Sequence, residues 1–591
     1  MSFHPNDISR RAGISKIALC VGFVLLVGAF FNTQVLHHQK YVMQSEENRL
    51  RPIPLPAPRG IIYDRNGLVI AENLPGYSVS ITAQNVDSLR ASLARLASTL
   101  QLSNDQVEAA VRRFRRAPTR PTVVLADASI DVISVLEEHR LDYPRLVIQS
   151  VPKRYYPDAQ AVASFVGYTG EITESELNSP QYDAYKPGQQ IGKGGLEKQY
   201  EKQLRGREGV RFDEVDARGR PVRGDGPRPD LTPEGAPPLY TNIDLDLQRF
   251  AVGVFGDSLQ GGVVALDPNT GGVLALYSAP SFDPNKFTGG IPAEYYKQLL
   301  TDERRPLLNK AVQGRYPPGS TFKLATAVTG ITNGVVGLND HMPVSCSGGY
   351  QYGSRYFRCW DKRGHGSLSL YGAVKHSCDV YFYQLGLRIG LNKLVAGGIS
   401  LSMRERSGID LPEEKRPDFP SIDVKSYYNK KFGAGRWSNA ETLNLSIGQG
   451  ANSQTVVNMA KFYTALATDG HAAQPMIVKG TPVRKPIFHL TSVQDSAIRA
   501  ALAGVVEAGG TAAASAIQGV VLAGKTGTAQ NAGKADHGWF VGFAPADKPK
   551  IVVAVLLEFG EHGSRAAHIA SSIIAHYLKI QPAADALETG G

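Results

Sequence analysis

Arg315-Tyr316-Pro317-Pro318-Gly319-Ser320-Thr321-Phe322-Lys323 is a chain break running straight into a buried helix. The two prolines and the glycine cannot extend a helix backwards. Phe322, Leu324, Ala325, Ala327 and Val328 then give an apolar helical face that runs to Gly330. Ser320 is therefore expected to start the helix, where free backbone N–H groups and the positive end of the dipole lie. Lys323 follows one turn on, along the same face. A serine at a helix N-terminus with a lysine three residues later is a nucleophile beside its base, or simply an N-cap and a solvated lysine. The spelling alone does not decide. Ser150-Val151-Pro152-Lys153 repeats it, with a proline that spoils the helix.

The surroundings of this stretch set the fold class. Before it, Gly261–Asp267 and Gly272–Tyr277 form a hairpin through Pro268-Asn269-Thr270-Gly271. After it comes a helix-rich middle, and strands return at Val520–Thr528, Gly538–Phe543 and Ile551–Phe559. A last helix covers about Ala566–Lys579. Early hairpin, helical insert, late strands and terminal helix predict an α/β (α+β) domain over 239–580, with one mixed antiparallel sheet and helices on both faces.

Upstream, Gly224–Pro238 is rich in Pro, Gly and Asp and reads as a domain boundary. Residues 37–235 read as an elongated α+β pedestal with a head lobe near 77–150. In it, Arg59–Ala71 predicts a hairpin around Asp64-Arg65-Asn66-Gly67. Residues 85–117 carry leucines at helical spacing, and Leu196–Leu204 predicts a short helix closed by Gly206. The Gly192–Gly195 run lacks the Gly-Lys-Ser/Thr ending of a phosphate loop. Residues 51–58 are Pro-rich and predict a stiff extended segment. Ile17–Phe31 is an unbroken apolar run behind Arg10, Arg11 and Lys16. It predicts a transmembrane signal anchor over 17–36 with residues 1–16 in the cytoplasm; the rival is a cleaved signal peptide, against which the bulky Phe30-Phe31-Asn32 offers no small-x-small cleavage site, and a tail over 581–591 closes the chain.

Composition narrows the function classes. The chain has 591 residues, 42% hydrophobic, 20% charged, with a formal net charge of +10. The positive charge is spread along the chain and no nucleic-acid motif accompanies it, so no nucleic-acid partner is expected; an anionic membrane surface or polymer fits. Of the four cysteines, Cys20 lies in the apolar run, which leaves an odd set of three.

Two further strings join Ser320 and Lys323. Ser377-Cys378-Asp379 falls in a tight loop between two helical stretches, and Lys525-Thr526-Gly527-Thr528 falls on a late strand where Gly527 permits close approach. Serine-x-x-lysine at a helix start, serine-x-acid between helices and lysine-threonine-glycine on a late strand, in that order, resemble the penicillin-recognising serine acyl-transferases. Arg59-Gly60 with Asp64–Gly67, and Gly195-Leu196-Glu197 with Tyr200-Glu201 and Gly206, look like the pedestal motifs of class B penicillin-binding proteins. Asp379, where division-type relatives usually carry asparagine, and Ser446–Gly450 look like the elongation-type branch, penicillin-binding protein 2. Ala451–Thr455 departs from the usual aromatic-containing continuation.

The resemblance implies a serine-type peptidoglycan D,D-transpeptidase at work during cell elongation. Ser320 attacks the bond between two terminal D-alanines of a stem peptide, and the acyl group passes to an amine on a neighbouring stem. A neutral Lys323, its ammonium disfavoured by burial and by Lys525, takes the serine proton. Ser377 relays a proton, and Asp379 orients Ser377 or the donor backbone. Backbone N–H groups of Ser320 and Thr528 hold the oxyanion. Lys525, Thr526 and Thr528, with Gly527 between them, bind the substrate carboxylate. Expected partners are peptidoglycan stem peptides, β-lactams, the membrane, a SEDS-family (RodA-type) glycosyltransferase and other elongation-complex proteins. The membrane helix and residues 37–235 are the expected contact surface. The catalytic domain would stand in the periplasm or extracytoplasmic space on a single-pass anchor in the inner membrane. The alternatives are a D,D-carboxypeptidase or β-lactamase on the same fold, a division-type transpeptidase, and a non-enzymatic β-lactam sensor or scaffold. A β-lactamase needs a deacylating base, and no convincing Glu-x-x-Asn is found.

No organic cofactor is expected. The remaining cysteines and a histidine, Cys346, Cys359, His365 and Cys378, are either a tetrahedral zinc set or a Cys346–Cys359 disulfide beside a free Cys378. The resemblance favours one structural zinc, because some elongation-type relatives carry one with a ligand inside the serine-x-acid motif. Cys378 and His365 match those positions, and Cys359 falls where an aspartate ligand is usual. Cys346 is the loosest match, with Asp361 as its substitute.

Overall fold

The computed structural model describes residues 5–39, 41, 50–100, 102–118, 120–143, 145–215, 221–223, 229–531, 533–560 and 562–580. The tail 581–591, residues 42–49 and the Gly224–Gly226 start of the Pro/Gly-rich boundary lie outside them. The apolar run forms a helix from Pro5 to Phe31, continued by a wider π-type turn over Asn32–Leu36. Its apolar stretch, Ala12–Leu36, is 25 residues with no buried surface. At ~1.5 Å per residue it exceeds the ~30 Å hydrocarbon core of a bilayer. An N-terminal apolar helix of this kind fits a single-pass anchor.

The Pro-rich segment is extended, as expected, but it is also paired. Leu50–Leu55 is the edge strand of a three-stranded sheet, antiparallel to Gly209–Val215. An edge tolerates Pro52 and Pro54 because one side of the strand needs no N–H. The Asp64–Gly67 hairpin forms, with Ile62 opposite Ala71. The 13-residue strand Val69–Ile81 then pairs over ten residues with Leu146–Tyr155. That partner strand contains Ser150 and Lys153, so the decoy serine-x-x-lysine is strand, not helix start. Residues 85–117 make two helices, Val86–Leu100 and Asn104–Arg116. The chain divides at Ser103, whose side chain and Gln106 close a capping box. Leu89, Leu93, Leu96, Phe114 and Leu136 pack with Val79 and Ile81 into a core separate from the main one.

The pedestal's other core is ionic. The expected short helix appears as two turns, Gly195–Gln199 and Glu201–Leu204. They bury Glu197 and Glu201 against Arg59 and Arg154.

The C-terminal half, which holds Ser320, is built on five strands in the order Val273–Ala279, Gly261–Leu266, Ile551–Leu557, His537–Ala544, Ala523–Ala529. All four pairings are antiparallel; the parallel pairing in the mix, Ile62–Tyr63 with Leu239–Tyr240, is in the pedestal. Ile551–Leu557 is buried at every position, which requires cover on both faces and explains its unbroken apolar sequence. Helix Gly563–Tyr577 and helix Val456–Ala467 supply that cover, and helix Leu245–Phe255 packs on Val273–Ala279 and on helix Gly563–Tyr577. Leu245–Phe255 ends where Gly256 turns the chain at φ +61°.

Candidate active site

The break before Ser320 is pinned on three sides. Tyr316 and Gln454 exchange backbone hydrogen bonds (2.9 and 2.8 Å), Trp539 Nε1 donates to the Pro317 carbonyl (2.9 Å), and Gly319 N donates to the Gly448 carbonyl (3.0 Å). Gly319 has φ +52°, and a Cβ there would lie 2.6 Å from the Thr528 carbonyl oxygen. Glycine is thus required both by conformation and by proximity. Ser320 lies on a single 3₁₀ turn, Gly319–Phe322, and the α-helix proper runs from Lys323 to Thr332. The tighter turn is the one difference from the expected α-helical start.

Lys323 is fully buried. Its Nζ donates to the Ser377 carbonyl (2.7 Å), Ser377 Oγ (3.3 Å) and Asp379 Oδ1 (2.7 Å). Ser377 sits between helix Leu370–Lys375 and helix Asp379–Ile389 at φ +54°, a strained conformation for a residue with a Cβ. The strain turns both its carbonyl and its hydroxyl onto Lys323. The Asp379 carboxylate forms an ion pair with Lys323, which in turn bonds Ser377, and its Oδ2 accepts from Trp360 N (3.0 Å). Burial pushes the Asp379 carboxyl up, against the pull of the Lys323 charge.

Lys525 is fully buried, with Nζ on the Thr526 carbonyl at 3.1 Å. Burial first, and then the charge of Lys323, hold its amine well below the usual lysine range. Lys323 has a carboxylate partner in Asp379, and the buried Lys525 amine is held low beside that pair. Ala523–Ala529 is the sheet's edge strand, so backbone groups on its outer side face the cleft, where an extended peptide can add as a further strand. Gly527 does permit close approach, but to the protein itself. A Cβ there would lie 2.9 Å from the Pro318 carbonyl, and the helix start at Gly563 packs against the same residue.

Three contacts were not visible in the motifs. Thr511 Oγ1 lies 2.7 Å from Thr526 Oγ1. Gln449 Nε2 donates to the Thr528 carbonyl at 3.4 Å. Trp360 clamps the serine-x-acid loop through Asp379 and, by its ring N–H, the His376 carbonyl (3.0 Å). Trp360 directly follows Cys359, the one local signal that could have flagged it.

Behind that loop, ligand atoms of Cys346, Cys359, His365 and Cys378 lie within 4.8 Å of one another. Cys346 Sγ and Cys359 Sγ stand 3.6 and 3.5 Å from His365 Nδ1. Tetrahedral zinc with Zn–S near 2.3 Å and Zn–N near 2.1 Å implies S···N edges of roughly 3.6 Å, so the donor set fits that ion. All three cysteines are free. Asp361, the substitute ligand, pairs instead with the exposed Arg363.

The chain matches two family models in sequence order: the penicillin-binding protein dimerisation domain over residues 54–230 and the penicillin binding protein transpeptidase domain over residues 261–575. It is 34% identical to the peptidoglycan D,D-transpeptidase MrdA of Acinetobacter baumannii, across 98% of this chain and 89% of that one. Among solved structures, the complex of penicillin-binding protein PBP2 with MreC from Helicobacter pylori superposes with a TM-score of 0.78 at 27% identity, covering 90% of this chain and 99% of that one. A chain from a peptidoglycan synthase complex, described for its coordination of polymerization and crosslinking, superposes at 0.70 and 29% identity, over 98% and 100%. Both halves of the molecule, in order and over nearly their full length, thus place the chain in the class B penicillin-binding proteins of the PBP2 (MrdA) type.

Proposed function

We propose that this protein cross-links peptidoglycan by serine acyl transfer during cell elongation and is a target of β-lactams. The observation that carries the reading is the convergence of Lys323, Ser377 and Asp379 in one buried hydrogen-bonded group directly behind the Ser320 turn. Ser320 Oγ attacks the carbonyl carbon between the two terminal D-alanines and gives its proton to Lys323. For that Lys323 must first be neutral, and Asp379 Oδ1, 2.7 Å from its Nζ, is the group placed to take the ammonium proton. The C–N bond breaks, and the departing D-alanine amine takes a proton through Ser377. In the second half, a neighbouring stem amine attacks the ester, its proton returns along the same route, and the C–Oγ bond breaks to regenerate Ser320. Thr526 and Thr528 on the edge strand, with Lys525 behind them, hold the donor's terminal carboxylate, and backbone N–H groups of Ser320 and Thr528 stabilise the oxyanion. Labelling with a fluorescent penicillin tests the nucleophile: wild type is expected to label and Ser320→Ala to lose essentially all signal. Equal labelling of the two refutes the assignment.

We further infer that Cys346, Cys359, His365 and Cys378 hold one structural zinc. The near-tetrahedral spacing at His365 Nδ1 supports it. The ion would fix the loop that presents Ser377 and Asp379 and supply no step of the reaction. One zinc per chain is expected by metal analysis of purified protein, falling severalfold in Cys359→Ser; a Cys346–Cys359 disulfide in the native protein would sink the idea. In this reading the N-terminal apolar helix is the anchor and the catalytic half stands outside the cytoplasmic membrane. An MreC-like protein is a proposed partner by analogy with the Helicobacter pylori assembly; a RodA-type glycosyltransferase is proposed from the family resemblance, and the neighbour from a peptidoglycan synthase complex that coordinates polymerization and crosslinking supports a polymerising partner of some kind.

A further inference from the structure

A buried carboxylate that the reaction does not use stands four residues behind the nucleophile. Glu558 directly follows the central strand of the sheet, Ile551–Leu557, and its side chain is 1% exposed. Its Oε1 accepts from the Tyr316 hydroxyl (2.8 Å) and from Arg305 Nη2 (2.9 Å). The backbone around it is fixed: Glu558 N donates to the Gln260 carbonyl (2.8 Å), and Phe559 N donates to His537 Nδ1 (3.3 Å). The counter-charge is placed just as firmly. Arg305 has φ +53°, a strained conformation for a residue with a Cβ. The fully buried Lys310 holds that turn, its Nζ donating to the carbonyls of Arg304 (2.8 Å) and Arg305 (3.2 Å).

Three neighbouring strands meet the chain before Ser320 one residue after another. From the end of Ile551–Leu557, Glu558 holds the Tyr316 hydroxyl. From His537–Ala544, Trp539 Nε1 holds the Pro317 carbonyl (2.9 Å), and the Trp539 ring stands edge-on to Tyr316 with centroids 6.5 Å apart. From Ala523–Ala529, Gly527 approaches the Pro318 carbonyl and the Thr528 carbonyl approaches Gly319. Residues 316–319 thus cross three adjacent strands in order, and Ser320 comes next. Of these anchor points the first is the charged one, and hydrogen bonds to an ionised acceptor are stronger than neutral ones. Pro317 and Pro318 lie between it and the serine turn, and their fixed φ angles leave little freedom to absorb a shift of Tyr316. A displaced tyrosine therefore displaces Ser320. We propose that Glu558 is a positioning residue for the nucleophile: by holding the Tyr316 hydroxyl it sets where the Ser320 turn meets the edge strand. This rests on Ser320 being the nucleophile.

The test compares full-length wild type with Tyr316→Phe, which removes only the hydroxyl, and with Glu558→Gln, which keeps an oxygen for that hydroxyl to meet. Acylation by a chromogenic cephalosporin is followed by stopped flow over rising concentrations, at a temperature where each variant is folded. This separates the acylation rate constant at saturation from the concentration that gives half of it. Tyr316→Phe is expected to lower the rate constant by about tenfold, with the half-saturating concentration within about twofold of wild type. Glu558→Gln should keep at least about half of the wild-type rate constant, and the double variant should be no slower than Tyr316→Phe. A carboxylate that merely stabilises the fold would lower the melting temperature and leave the rate constant unchanged; that result overturns the proposal. A loss confined to the half-saturating concentration overturns it too, as does Glu558→Gln falling as far as Tyr316→Phe or a double variant slower than Tyr316→Phe. A wild type that is not acylated, or acylation undiminished in Ser320→Ala, overturns the nucleophile assignment and this inference with it. Any of the other failures, alongside Ser320-dependent acylation of wild type, overturns this inference alone.

Discussion

Asp379 is the residue whose role the structure changes most. Its charge is what a buried Lys323 needs, since an ammonium at zero exposure without a counter-charge is costly. Asp379→Asn keeps the shape and removes the charge. It is expected to slow acylation by fluorescent penicillin by about tenfold to a hundredfold and to lower unfolding free energy by about 3 kcal/mol. Stopped-flow labelling and denaturant unfolding check the two effects. An unchanged acylation rate would restrict Asp379 to a structural role. The sequence offered Asp379 as a member of the constellation but not its partner, because a serine-x-acid spelling says nothing about which of two lysines the carboxylate meets. Ser377, Lys323 and Lys525 were legible by type and order; the strained φ of Ser377, which aims it, was not.

At the level of elements, the nucleophile turn and the edge strand are locked together by two glycines. Gly319 meets the Thr528 carbonyl and Gly527 meets the Pro318 carbonyl, so the Ser320 turn and the Lys525–Thr528 strand approach backbone to backbone. Gly319→Ala adds a methyl group at 2.6 Å from an oxygen and forces an alanine to positive φ. The conformational part alone costs about 1 kcal/mol. The variant is expected to melt several degrees lower and to label with penicillin far more slowly, read by calorimetry and gel fluorescence; wild-type labelling would mean the turn tolerates separation from the strand. The strands themselves were readable to within a few residues from their unbroken apolar runs. The split of residues 85–117 into two helices was encoded too, in the Ser103-x-x-Gln106 capping box, a signal weaker than the leucine spacing that masked it.

Across the whole molecule, the pedestal and the catalytic half are joined by charged side chains on backbone donors. Asp410 accepts from Ile477 N (2.6 Å), Val478 N (2.9 Å) and the Tyr200 hydroxyl (2.8 Å), and so ties a pedestal turn to the catalytic domain. Asp64 does the same in reverse, accepting from Asn66 and Leu68 in its own hairpin and from Leu245 N at the start of a catalytic-half helix (3.2 Å). Asp410→Ala leaves those donors unsatisfied at a cost of about 2 kcal/mol. Calorimetry is expected to show the pedestal and catalytic transitions separating in the variant relative to wild type; superimposed transitions with an unchanged midpoint would mean that the joint lies elsewhere.

By itself the sequence determined the N-terminal apolar helix, the antiparallel catalytic sheet, and the identity and order of Ser320, Lys323, Ser377, Asp379 and Lys525–Thr528. Those features follow from local periodicity, turn chemistry and short motifs, which a linear string records. Only the tertiary structure decided which lysine pairs with Asp379, that Cys346 rather than Asp361 joins the cysteine cluster, and that Arg59 and Arg154 share Glu197. These outcomes are set by burial and by which groups compete for one another across separations of tens to hundreds of residues, and pairing of that kind is fixed when the chain packs, not by any stretch of it.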